Sequence, residues 1–124
     1  MNIRRLWNGR TLGLPLGAMV FFVVASKRVL DRIATALWRG NLGALGSRSI
    51  IQVGVSFRYP GRVQIGERCS VASGCSFTSE HSDGSLELGT ATIVNRDVTV
   101  DFTGGVVVER GVVISEGVTI YSHT

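Results

Sequence analysis

Long hydrophobic runs are scarce in this chain of 124 residues, and so are proline, cysteine, histidine and charge. The longest uncharged apolar stretch, Leu12–Ala25, has 14 residues, fewer than the roughly 20 a spanning helix needs. It follows a basic start, as a secretory signal would, but no small-residue cleavage site precedes Ser26-Lys27-Arg28. Two prolines exclude a proline-rich linker. Two cysteines, Cys69 and Cys75, exclude a disulfide scaffold; their spacing is not CxxC and no histidine lies near, so metal binding finds no support. They read as small apolar fillers, compatible with a reducing cytoplasm. Two histidines, His81 and His123, fall short of the three that a zinc enzyme of the carbonic-anhydrase kind needs.

Acidic residues are nearly absent from the first third. Residues 1–48 hold eight Lys or Arg against Asp31 alone, a balance of +7, whereas residues 49–124 hold five Arg against eight carboxylates, a balance of −3. A basic start of this kind suits an anionic partner. No basic–aromatic interleaving or nucleic-acid motif accompanies it, so nucleic acid is not expected and a membrane surface is the better fit. The expected location is the cytoplasm, at the inner face of the membrane if residues 1–38 touch it.

Glycine, by contrast, is abundant, at 16 residues, which suits many tight turns between short strands. An apolar residue recurs every six positions from Ile65 onward: Ile65, Val71 and Phe77, then Leu88, Val94 and Val100, then Val108, Ile114 and Ile120. Four residues after most of these stands a small or β-branched side chain, Cys69, Cys75, Thr92, Val98, Val112, Val118 or Thr124. Neither the helical period nor the strand period produces this. A solenoid whose coils have three short flat sides does. The fold expected is mainly β, a parallel β-helix preceded by an α-helical segment.

Three beats make a coil of about 18 residues, with five inserted in Thr78–Ser85 and two in Phe102–Gly105. Val53 and Tyr59 continue the phase backward, which starts the solenoid near Ile51. About four coils at strand spacing give a prism about 20 Å tall whose open ends need covering. Residues 16–38 read as one or two helices between Pro15 and Gly40. Val29, Leu30, Ile33, Ala34 and Leu37 share one face of that segment. It either packs on the β-domain or a second subunit, or lies at a membrane interface. The domain division expected is 1–46, a basic helical segment with the glycine-rich hinge Gly40–Gly46, and 47–124, the β-helix.

The stretch from Ile65 to Phe77 (IGERCSVASGCSF) and that from Leu88 to Val100 (LGTATIVNRDVTV) resemble the hexapeptide-repeat acyltransferases. The resemblance covers residues 51–124 and is greatest to the sugar and polysaccharide O-acetyltransferases, such as galactoside and maltose acetyltransferases. It implies a left-handed β-helix, a homotrimer, and transfer of acetyl from acetyl-CoA to a sugar hydroxyl, as in surface polysaccharide synthesis. In that family a histidine is the general base. Asn95, six residues after Gly89, matches an asparagine that holds the acceptor; it also reads as a corner residue tolerant of left-handed backbone. Ile120-Tyr121-Ser122-His123-Thr124 resembles the stretch that ends in the catalytic histidine. His123 is then either the base in a shifted register or the neighbour of a base just past Thr124. The resemblance implies further coils, so the sequence reads as an N-terminal fragment, with a non-catalytic scaffold module as the alternative. It assigns no acetyl-CoA contact, and the only call for metal is none.

Overall fold

The computed structural model describes residues 13–123. The chain divides into two compact units, Met1–Leu30 and Asp31–Thr124. Among the described residues one α-helix, α1, covers Gly13–Asn41, longer at both ends than the 16–38 expected. Twelve strands of two or three residues follow, and every pairing among them is parallel.

The strands form three four-stranded sheets, one per side of a solenoid. Side one stacks β1 (Ala44–Leu45), β4 (Val63–Ile65), β7 (Leu86–Leu88) and β10 (Val106–Val108). Side two stacks β2 (Ile50–Ile51), β5 (Ser70–Val71), β8 (Ile93–Val94) and β11 (Val113–Ile114). Side three stacks β3 (Ser56–Phe57), β6 (Ser76–Thr78), β9 (Thr99–Asp101) and β12 (Thr119–Tyr121). The chain therefore winds through about four coils, as the six-residue beat predicts.

The beat positions stack in register as inward columns. Leu45, Ile65, Leu88 and Val108 form one, and Ile51, Val71, Val94 and Ile114 the second. Phe57, Phe77, Val100 and Ile120 form the third, its two rings stacked with centroids 4.8 Å apart. Parallel strands at this spacing place like residues over like, so a one-residue slip would turn each column outward.

The start of the solenoid differs from the expectation. The first coil begins at Ala44, inside the stretch read as a hinge, and its inward residues are Leu45, Ile51 and Phe57. Val53 is 45 % exposed, and Tyr59 sits in left-handed backbone ahead of a 3-10 turn, Pro60–Arg62. Two residues inserted there throw the backward count out of phase. Ala44 lies beside Gln64, Gln64 beside Glu87 and Glu87 beside Val107, so the coils repeat after 20, 23 and 20 residues. The third corner is thus always longer than the other two. Phe102, assigned to an inserted loop, is fully buried there.

Corner chemistry explains the small residues four positions after each beat. Ser49 Oγ donates to the Gly66 carbonyl at 2.6 Å and accepts from the Cys69 amide at 3.0 Å. Cys69 Sγ lies 3.1 Å from the Gly89 carbonyl, Cys75 Sγ 2.9 Å from the Asn95 carbonyl, and Thr92 Oγ1 3.1 Å from the Glu109 carbonyl. Each buried polar atom satisfies a turn carbonyl of the next coil. Both cysteines are free and buried, as the reading of them as fillers requires.

Within the larger unit, the end of α1 covers the first coil. Thr35 Oγ1 accepts from the Ile51 amide at 3.0 Å, and Asp31 Oδ1 accepts from the Val53 amide at 3.0 Å. Trp38 meets Phe57 edge-on, centroids 4.8 Å apart. Asp31, Thr35 and Trp38 are one helical face at i, i+4 and i+7. The predicted apolar face is mostly not the packed one: Ile33 is 50 % and Leu37 64 % exposed, and only Ala34 is half-buried. The demand for partners from an unpaired strand edge outweighs apolar periodicity here.

Candidate functional site

The third corner gathers a cluster of titratable groups, Asp101, Glu80 and His123. Asp101, the last residue of β9, lies one rung below Tyr121 of β12, and two residues beyond Tyr121 comes His123. Asp101 is buried although charged. Its Oδ1 accepts from the Thr103 hydroxyl at 2.6 Å and the Thr103 amide at 2.9 Å. The same hydroxyl accepts from the Glu80 amide at 2.8 Å, tying the loop after β6 into the column. His123 is bracketed by two carboxylates: Nδ1 stands 3.4 Å from Asp101 Oδ1, and Nε2 stands 3.5 Å from Glu80 Oε2. Nδ1 is buried without a hydrogen-bond partner, so the short step to Asp101 is open to it.

Burial opposes the charged form of Asp101, but the two Thr103 donors and then the His123 ring outweigh it. The carboxyl is held below its usual range. At neutral pH an anion therefore faces the buried ring nitrogen. Asp101 directs a ring proton to Nδ1; Nε2 faces Glu80, whose side chain is 65 % exposed and is the partner a hydroxyl has to displace to reach that nitrogen. With Glu80 displaced, the pair has the chemistry to act as a base with an orienting carboxylate.

The other site residues lie elsewhere. Asn95 follows β8, at the corner between sides two and three, half-exposed. Its amide donates to the Ile114 carbonyl at 3.0 Å and its carbonyl receives the Cys75 thiol. It is not left-handed; Asp97, two residues on, takes that role with φ 58°. One chain thus places Asn95 and His123 at two different corners. His81 is exposed on the third-corner loop, its carbonyl accepting from Ser79 Oγ at 2.6 Å. Among the described residues no three His, Cys, Asp or Glu side chains come together to hold a metal ion.

Asp101 and Glu80 escaped the sequence reading. Asp101 did carry a signal: the outward position after a beat in a three-residue strand, followed by Thr103 at the i+2 spacing of an Asx turn. Glu80 lies in the insertion, where no periodicity reaches. A shallow cavity of about 430 Å³ along side one is lined by Gln64, Glu87, Thr90 and Glu109 and holds no basic side chain.

No protein-family model, no curated protein and no solved structure matches this chain.

Proposed function

We propose that the chain carries the acceptor side of an O-acetyltransferase that moves acetyl from acetyl-CoA to a sugar hydroxyl, in surface polysaccharide assembly. The observation that carries the reading is His123 set between Asp101 and Glu80 at the third corner. The acceptor hydroxyl displaces the exposed Glu80 carboxylate from Nε2, and His123 takes its proton there while the hydroxyl oxygen forms the new C–O bond to the thioester carbonyl carbon. The C–S bond breaks, and the proton passes from Nε2 to the departing sulfur. Asp101 is a positioning residue that orients the ring and compensates the imidazolium as it forms.

The reading includes a homotrimer. Asn95 and His123 stand on different corners of one chain, so a site using both draws them from neighbouring copies. The acyl donor belongs in the same intersubunit space; the cavity on side one, with Glu87 and Glu109 in its lining, is ill-suited to the phosphates of CoA.

The test is acetyl transfer from labelled acetyl-CoA to candidate glycans, with the protein as its gene encodes it. His123→Ala is expected to lower turnover by roughly 10²–10⁴-fold. Asp101→Asn lowers kcat by roughly 10–100-fold, by analogy with carboxylates that orient ligating histidines, and leaves KM unchanged. Absence of both transfer and acetyl-CoA binding would overturn the reading and leave a non-catalytic scaffold.

A further inference from the structure

Among the described residues of the smaller unit, apolar side chains stand exposed. From Ala18 to Ala25 (AMVFFVVA) eight consecutive residues carry no polar side chain, more than two helical turns, so the apolar surface runs round the whole helix. Phe21 is 76 % and Phe22 71 % exposed, and Met19, Val20, Val23 and Val24 are exposed beside them. In the following turns the helix becomes two-faced. Phe22, Ala25, Ser26, Val29 and Leu30 line a shallow apolar cleft, and Lys27 and Arg28 stand on the opposite side. Contiguous exposed apolar surface of this kind marks a contact site.

Charge selects the occupant. Residues 1–30 contain Arg4, Arg5, Arg10, Lys27 and Arg28 and no acidic residue. A second copy of residues 1–30 would bring five positive charges against five, with no carboxylate in that stretch to pair them. An anionic lipid surface offers the opposite sign and an apolar interior. Fourteen apolar residues reach only about 21 Å, short of the roughly 30 Å hydrocarbon layer. Among the described residues no helix is long and apolar enough to cross a membrane. We infer that the first half of α1 docks on an anionic bilayer surface, with Phe21 and Phe22 seated among the acyl chains and Lys27 and Arg28 at the headgroups.

The experiment measures partition of the full chain into phosphatidylcholine vesicles with and without phosphatidylglycerol, alongside sedimentation equilibrium. Binding is expected only with phosphatidylglycerol and to weaken with rising salt. Lys27→Gln with Arg28→Gln should weaken it about thirtyfold, at about 1 kcal/mol per charge. Phe21→Ser with Phe22→Ser should weaken it at least about a hundredfold, from the apolar area withdrawn. The thermal unfolding of the β-domain should not change in either variant. Equal partition into both vesicle types, or full binding by the phenylalanine variant, overturns the proposal. So does a protein that ignores vesicles but loses an oligomer when the phenylalanines are replaced; a second copy then covers the helix.

Discussion

Asp101 shows what a single residue contributes when its partners come from other coils. Its folded pKa lies below the ordinary value, so the stabilisation it supplies is present above the usual carboxylate range, near pH 4, and is lost as pH falls through the folded value. Asp101→Asn should therefore lower the melting temperature at pH 7, and the difference from the parent should shrink toward zero on acidification below pH 4. A difference independent of pH would mean that shape, not charge, matters at this position. Ala91 illustrates a local cost. It holds φ 61° at a corner where Gly111 stands one coil later. A side chain in left-handed backbone costs roughly 1–2 kcal/mol. Ala91→Gly should recover part of that and raise the melting temperature by a few degrees, since the methyl group is exposed at that corner.

Among the elements, the end of α1 and the corners do most to define the solenoid. Thr35→Val keeps the volume but leaves the buried Ile51 amide without its acceptor. A loss of about 1–3 kcal/mol in urea unfolding is expected; a neutral result would show that water reaches the first coil. The glycines after the side-one strands matter for proximity. A Cβ on Gly66 would lie 2.8 Å from the Thr90 amide nitrogen, and one on Gly89 would strike the Arg110 amide. The equivalent residue of the fourth coil is Glu109, exposed, with no coil stacked on it in this structure. Beat, corner and strand were legible in the sequence because each is a local, repeated demand. The face by which α1 packs was not, because hydrogen bonding by Thr35 and Asp31 to an open strand edge has no periodic signature.

At the scale of the molecule, stacking ties each coil only to its neighbours, so a fault in a middle coil affects both sides. Val94 is fully buried. Val94→Asp places a carboxylate with no partner in the core, at a cost of several kcal/mol, and should unfold the β-domain at ambient temperature by circular dichroism. Cys75 reports the same integrity chemically: burial raises its thiol pKa, more than the Val98 and Asp97 backbone contacts lower it. A thiol reagent should find neither cysteine in the native protein and both once urea unfolds it.

The sequence by itself determined the winding, the columns and the buried cysteines, because six-residue periodicity is an address that each residue carries locally. His123 and Asn95 were singled out by resemblance to a family motif, not by that periodicity. Tertiary structure alone decided the true start at Ala44, since inserted residues at the third corner reset the count. It alone placed Asp101, Thr103 and Glu80 around His123. Those residues come from three successive coils, 20 to 23 positions apart, and only stacking brings them together at one corner.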